Sequence, residues 1–195
     1  MNRLHYLRGF TLLELMVTIA LLSVLLVIAV PSFTEFRQRA AIRGAADQVA
    51  TFWGDARFEA LRRNQFVKVG FRTSGTTFCL GAATTATADD DTTCNCFTAG
   101  ACNVSAYPSN QSEWRGITVA SATTLGDDDG GVIVINPKRG NVTETGDVGR
   151  IFLGMPTSTN ANYRLSIDFD RNGRAVICEP AAAANKLPQF TNRRC

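Results

Sequence analysis

Histidine is almost absent from this chain. Only His5 is a histidine among 195 residues, and the sequence has no Gly-x-Ser-x-Gly elbow, no P-loop and no dinucleotide-binding fingerprint. These motifs mark common hydrolases, nucleotide-binding enzymes and dehydrogenases. The sequence therefore favours a non-enzymatic protein without a cofactor.

Net charge is also small. It is +3 for the whole chain, and loss of residues 1–9, which contain Arg3 and Arg8, would leave +1. A protein this close to neutrality does not attract nucleic acid or anionic lipid through its global charge. Such binding would need a local patch, and the segment from Asn160 onward carries +3.

Metal-binding patterns are weak. Cys94, Cys96 and Cys102 lack the pairs spaced by two residues that are typical of zinc sites. The acidic runs at 89–91 and 127–129 lack the alternating ligand spacing of a calcium loop and are more typical of solvated surface loops. The sequence therefore predicts no metal.

A long apolar run occupies residues 10–30, with Glu14 among its four polar members. A helix of this length, at about 1.5 Å per residue, matches a bilayer core of roughly 30 Å. The run therefore predicts a transmembrane helix. Two arginines precede it, so the positive-inside rule places the rest of the chain outside the cytoplasm.

Cysteine usage supports export. An even number of cysteines in an oxidising compartment predicts disulfides, and six allow 15 connectivities, which the spacing leaves open. The six are Cys79, Cys94, Cys96, Cys102, Cys178 and Cys195.

Helical periodicity continues beyond the apolar run. Apolar residues recur at spacings of three and four over 31–64, which predicts an amphipathic continuation of the helix to about Arg63. Pro31 lies at the junction. A proline inside a helix removes one backbone hydrogen bond, so we expect a kink there.

Strand patterns replace the helical pattern after Asn64. Short strands separated by Gly, Asn and Asp favour two antiparallel sheets, and Asn172-Gly173 favours a tight turn before the last strand. Residues 81–113 have little apolar content and three cysteines, which predicts a long surface insertion held by disulfides. The predicted strands cover 66–71, 76–80, 116–120, 131–135, 150–153, 163–169 and 174–178.

The expected fold class is therefore α+β. A long N-terminal helix, transmembrane and then amphipathic, would pack on an antiparallel two-sheet β domain over residues 65–195.

The start of the chain, LRGFTLLE at residues 7–14, resembles the type III signal of type IV prepilins and secretion pseudopilins. In that family a prepilin peptidase cuts after the glycine and methylates the new N-terminus. The resemblance implies a leader over residues 1–9, cleavage between Gly9 and Phe10, and methylation of Phe10. Pilins also resemble this chain in having a proline at the place of Pro31.

Glu14 is an acid within an apolar helix, which is costly unless the carboxylate is paired. In the family, the matching glutamate pairs with the N-terminal amine of the neighbouring subunit during assembly, and the resemblance implies this role for Glu14 and Phe10. The alternative is an acid that lies near enough to the cytoplasmic interface to stay hydrated.

Two later segments, DARFEALRRN at 55–64 and FDRNGR at 169–174, look like the FimT/FimU minor pilins and the related pseudopilin H of type II secretion. FimT-like members bind DNA through a Gly-Arg-x-Arg motif. Gly173 and Arg174 match that motif, and Val176 replaces its second arginine. Two alternatives stay open, contact with double-stranded DNA or surface arginines that keep the domain soluble. The arginines concerned are Arg171, Arg174, Arg193 and Arg194.

Pilins often close a C-terminal loop with a disulfide, so the resemblance implies the pair Cys178–Cys195. The other four cysteines would then pair among themselves.

The resemblance implies a non-enzymatic minor pilin of a type IV pilus, built into a tip or priming complex, with DNA uptake as one activity. The alternative is the minor pseudopilin H of a type II secretion system. The implied partners are other major and minor pilins or pseudopilins, the prepilin peptidase, the inner membrane and double-stranded DNA. The implied location is the bacterial inner membrane, with one pass and a periplasmic C-terminal domain, and then the pilus or pseudopilus.

Overall fold

The structure is a computed structural model. It describes residues 10–74, 77–90, 92–108, 116–119, 124–125, 131–143, 148–155, 163–180, 187, 190 and 195, without the side chains of 28–32 and 124. The chain divides into two compact units, Met1–Gln38 and Arg39–Cys195.

One helix, α1, covers Leu12–Arg63. The Glu14 N–H donates a hydrogen bond to Thr11 Oγ1 at 3.2 Å, so Thr11 caps the helix in a Thr-x-x-Glu sequence typical of a capping box. The helix ends where Asn64 adopts a left-handed conformation with a φ of 50°, as is common just after a helix. The helix predicted over residues 10–30 with a continuation to about Arg63 is confirmed, except for its first two residues.

The first unit buries none of its described side chains. Its large apolar residues from Phe10 to Val27 are between 49% and 76% exposed. Among the described residues, no helix combines the length and the apolar character that a membrane crossing requires.

In the second unit, the described residues form two antiparallel sheets. The first has the strand order β3-β2-β1-β6, and the second has the order β4-β7-β8-β9 with β5 paired to β7. All seven predicted strands are present. The strands β3 and β5 were not predicted, since they are too short to show a period of two. The two-residue β4 was predicted because it lies within a longer β-type run at 116–120. The strands are β1 Phe66–Ser74, β2 Thr77–Thr85, β3 Ser105–Tyr107, β4 Thr118–Val119, β5 Thr124–Leu125, β6 Val132–Ile135, β7 Gly149–Met155, β8 Tyr163–Phe169 and β9 Ala175–Cys178.

A single hydrophobic cluster joins the second-unit part of α1 to both sheets. Trp53 on the helix packs against Phe169 at the end of β8, with ring centroids 4.6 Å apart. The buried stripe of the helix repeats at spacings of three and four, as expected for an amphipathic helix, and the predicted α+β fold is confirmed. The stripe consists of Ile42, Ala45, Ala46, Val49, Phe52, Trp53, Ala56 and Ala60.

The insertion predicted over 81–113 needs a correction at both ends. β2 continues to Thr85 and pairs with β1 over its full length, and Ala82 and Ala83 on it are buried. Ser105–Tyr107 then returns to pair with β2. Alanine and glycine carry little hydrophobic signal, yet they are often fully buried, and this is why the strand was missed.

Within this segment, Thr93, Cys94, Cys96 and Cys102 lie against one face of the first sheet. Gly70 and Gly81 are paired across β1 and β2. A Cβ added at Gly81 would come within 2.6 Å of Cys94 Sγ, and one added at Gly70 would come within 2.6 Å of Thr93 Cγ2. The two glycines therefore make room for a disulfide-bonded layer.

Candidate functional site

The first turn of α1 and the two residues before it include Glu14 and Phe10, which are expected to act in assembly and processing. Phe10 is 70% exposed, and Glu14 is exposed three positions beyond the capping residue Thr11. Cleavage after Gly9 would therefore place the new amine one residue before the cap. Gly9 itself lies outside the described residues.

Pro31 lies within the residue range of α1. Its side chain is not among those that the structure describes. The kink expected there stays a prediction.

The turn between β8 and β9 presents Arg171 and Arg174. The Gly173 N–H donates to the Asp170 carbonyl oxygen, and the Asp170 N–H donates to the Arg174 carbonyl oxygen, each at 3.0 Å. Gly173 has a φ of 75°, so the turn is a three-residue hairpin loop with glycine in the left-handed position. Both arginine side chains are exposed.

A second basic turn follows β6 at residues 136–141. The Gly140 N–H donates to the Asn136 carbonyl oxygen at 2.8 Å, and Asn136 Oδ1 accepts from the Lys138 N–H at 2.8 Å. Lys138 and Arg139 are exposed on this turn. Sequence reasoning missed this pair, although Asn-Pro-Lys-Arg-Gly-Asn is a turn signal with two adjacent cations.

The two basic turns contact each other. The Val142 N–H donates to the Arg171 carbonyl oxygen at 3.1 Å. A Cβ added at Gly173 would overlap the carbonyl oxygen of Gly140, so the backbones meet where neither residue has a side chain. The two basic turns therefore lie side by side, with their backbones in contact.

Two residues of α1 hold the turns in place. Trp53 Nε1 and Arg57 Nη1 both donate to the Gly173 carbonyl oxygen, at 3.0 and 3.3 Å. Arg57 Nε is buried and has no hydrogen-bond partner among the described residues. It lies 2.7 Å from the position of a Cβ added at Gly140. The Arg57 guanidinium is thus a further positive charge against both turns.

Three disulfides connect the six cysteines. Cys178 bonds to Cys195 with an S–S distance of 2.06 Å, which is the pair that the resemblance implied. The connectivity that the spacing left open is Cys79–Cys96 and Cys94–Cys102.

The C-terminal disulfide is attached away from the basic turns. Cys178 is the last residue of β9, about 10 Å along the strand from Ala175, which follows the turn. Arg193 and Arg194 lie outside the described residues, so their predicted contribution to this surface stays a prediction.

One cluster has the residue types of a metal site. Asp168, Cys178 and Cys195 offer ligand atoms within 4.8 Å of one another. The two sulfurs are bonded to each other, however, and the Asp168 carboxylate accepts two hydrogen bonds from Arg150 at 2.6 and 2.5 Å. This cluster therefore lacks the thiolates that zinc binds. The sulfurs of Cys94, Cys96 and Cys102 are likewise in disulfides.

In the acidic run at 89–91, Asp90 is bonded within the chain. Lys68 Nζ lies 2.8 Å from Asp90 Oδ2, and the hydroxyls of Thr85 and Thr92 donate to the same carboxylate. These contacts, with that of Lys68 the largest, hold the pKa of Asp90 well below its usual range. Asp90 therefore ties the segment after β2 to β1. Asp91 and the run at 127–129 lie outside the described residues.

Residues 6–30 match the family model of the prokaryotic N-terminal methylation motif. Over 68 residues the chain is 44% identical to the pilin-like protein PilA1 of Thermus thermophilus, and this match covers 35% of the chain and 42% of that protein. The chain therefore spans less than half the length of this relative. No solved structure matches it.

Proposed function

We propose that this chain, a type IV pilin-like protein, is a non-enzymatic subunit that prepilin peptidase cleaves between Gly9 and Phe10. It then enters a type IV pilus as a minor pilin of the tip or priming complex. The methylation motif over residues 6–30 carries the proposal. Anchoring in the inner membrane by residues 10–30 before assembly is part of the proposal and is supported by their sequence.

The first unit supports assembly through its apolar helix. Its large apolar side chains are between 49% exposed, at Val17, and 76% exposed, at Val27. Helices that are apolar on all sides are stable only when other apolar groups cover them. Packing among the same helices of neighbouring subunits would supply that cover, and the N-terminal amine of a neighbour would pair with the Glu14 carboxylate.

The test of processing uses Met16. Cyanogen bromide cuts after methionine, so processed protein would release a short peptide from Phe10 to Met16 that carries one extra methyl group. We expect mass spectrometry to find it in filaments sheared from cells. If it occurs only in the inner-membrane fraction, the protein is the alternative pseudopilin, and an uncleaved Met1 terminus would refute the proposal.

The test of assembly compares two polar residues in the same apolar stretch. Glu14→Val should be processed normally and yet be lost from filaments, because the partner of the amine is missing. Thr18→Val is the matched control and should assemble, since the Thr18 hydroxyl only donates to the Leu15 carbonyl oxygen of its own helix. Equal incorporation of both variants would contradict the role of Glu14.

DNA contact is a second candidate function. It is favoured by the exposure of Arg171 and Arg174 on a turn that α1 holds rigidly through Trp53 and Arg57. Positive side chains of this kind bind phosphates with little sequence preference.

A further inference from the structure

We infer that the two touching turns form one binding surface for the phosphodiester backbone of duplex DNA, in which Lys138 and Arg139 contribute as much as Arg171 and Arg174. This inference rests on the DNA contact proposed above and gives it a site. Lys138 and Arg139 are not part of the Gly-Arg-x-Arg resemblance. Only the folding of the chain places their turn beside the turn that contains Arg171 and Arg174.

The geometry places the backbone positions of the four basic residues close together. Gly140 and Gly173 touch through their backbones, and the Val142–Arg171 hydrogen bond of 3.1 Å fixes the turns beside each other. Consecutive Cα atoms are about 3.8 Å apart, so the Cα atom of each basic residue lies within about 8 Å of the Cα atom of the glycine in its own turn. Duplex DNA carries one charge per roughly 1.7 Å of its axis, so a surface of this size faces several phosphates.

Two described acids, one in the β8–β9 turn and one on α1, already accept hydrogen bonds. Asp170 Oδ1 accepts a hydrogen bond from the Arg174 N–H at 2.7 Å, which shapes the turn. Glu59, on the end of α1, is paired with Arg62 at 2.7 Å and with Arg63 at 2.6 Å. The hydrogen bond from Arg62, followed by that from Arg63, lowers the pKa of Glu59 to about 2. Arg57 adds positive charge behind the turns, so residues 136–141, residues 170–174 and Arg57 together carry a net positive charge.

The composition of the turns favours phosphates over a protein partner. Residues 136–141 and 170–174 contain no aromatic residue and no Leu, Ile, Val or Met. Protein interfaces depend on buried aromatic or apolar anchors and are depleted in lysine. Phosphate binding needs only positioned cations, and the arginine fork matches phosphate oxygens in pairs.

The experiment measures the affinity of the full-length chain, in non-ionic detergent, for a labelled mixed-sequence duplex about three helical turns long. Binding is measured between about 50 and 200 mM salt, where each phosphate contact contributes about −0.9 to the slope of log K against log salt. Four contacts give a slope of about −3.6 for the unmodified chain.

The decisive variant is Lys138→Ala/Arg139→Ala. It should reduce the slope by about 2 and weaken binding about tenfold or more at low salt, as Arg171→Ala/Arg174→Ala should. The charge-conserving exchange Lys138→Arg/Arg139→Lys should bind like the unmodified chain. The matched control is Arg72→Ala/Arg164→Ala, which removes the same charge at exposed positions outside the two turns and should change the slope little.

The outcomes separate the inference from the proposals on which it rests. If Lys138→Ala/Arg139→Ala behaves like the control while Arg171→Ala/Arg174→Ala loses affinity, the two-turn surface is refuted and the DNA contact stands. If the unmodified chain does not bind duplex DNA at low salt, both the two-turn surface and the DNA contact are refuted. This result does not affect the proposals on processing and assembly, which the Phe10 peptide tests. Displacement of the duplex by poly-glutamate at equal charge would refute the phosphodiester assignment and indicate an acidic protein partner.

Discussion

At the scale of single residues, Gly173 lies where the β8–β9 turn, the turn at 136–141 and α1 meet. Its φ of 75° disfavours any residue with a Cβ. An added methyl group would also overlap the Gly140 carbonyl oxygen and crowd Arg57. We expect Gly173→Ala to lower the free energy of unfolding by about 1–3 kcal/mol, measured by urea denaturation.

Gly54 is the matched control for this substitution. It is exposed in α1, and an added Cβ would meet nothing within 4 Å. Gly54→Ala should therefore raise the free energy of unfolding by up to about 1 kcal/mol through helix propensity. If Gly173→Ala were as stable as the unmodified chain, the close approach of the two turns would be wrong.

Thr11 makes a second prediction at this scale. Thr11→Val removes the hydroxyl oxygen that accepts from the Glu14 N–H and keeps a similar side-chain volume, and loss of such a cap costs about 1 kcal/mol. Hydrogen exchange at the Glu14 amide should become several times faster. Thr18→Val removes a hydroxyl that caps nothing, so it should leave this amide unchanged, and equal exchange in both variants would contradict the capping role.

At the scale of elements, the Lys68–Asp90 ion pair ties the segment after β2 to β1. The pKa of Asp90 lies below its ordinary value of 3.8 in the folded chain. The pair therefore contributes stability above that pH, and this contribution is lost as pH falls through the lower folded value. We expect the thermal midpoint of the unmodified chain to fall more steeply between about pH 5 and pH 2 than that of Asp90→Asn.

Asp89→Asn serves as the comparison for this pH dependence. Asp89 is the exposed neighbour of Asp90, so its substitution should leave the steep acid dependence in place. A profile for Asp90→Asn that coincides with that of the unmodified chain would show that the ion pair does not stabilise the fold.

The regular elements could be predicted from the sequence because each depends on a local period. α1 follows the spacing of its buried stripe, and β8 and β9 follow alternation around Asn172-Gly173. The short β3 and β5 carry too little pattern, and the burial of Ala82 depends on the layer packed above it. Disulfide partners are set by tertiary distance, so Cys79–Cys96 could not be derived from spacing.

The candidate surface was predictable only in part for the same reason. Arg171 and Arg174 are adjacent to a glycine hairpin and belong to a recognisable motif. Lys138 and Arg139 lie far earlier in the sequence and reach them through the contact of Val142 with Arg171. Local sequence patterns do not indicate a contact between two turns that lie far apart in the sequence.

At the scale of the whole molecule, every buried residue among those that the structure describes belongs to the second unit. Ile42 is the first buried residue among the described part of the chain, and the unit that contains it begins at Arg39. The three disulfides also lie entirely within this unit. Its stability should therefore not depend on residues 1–38.

This independence predicts the behaviour of two fragments exported to an oxidising compartment. A fragment that begins at Arg39 should form the same three disulfides and unfold within about 4 °C of the full-length chain. A fragment that begins at Asp55 lacks Ile42, Val49 and Trp53, and each such loss costs about 2–5 kcal/mol against a total stability of about 5–15 kcal/mol. It should fail to fold. The fragment that begins at Arg39 contains the same cysteines and both sheets of the full-length chain. Scrambled disulfides in this fragment would therefore mean that residues before Arg39 complete the core.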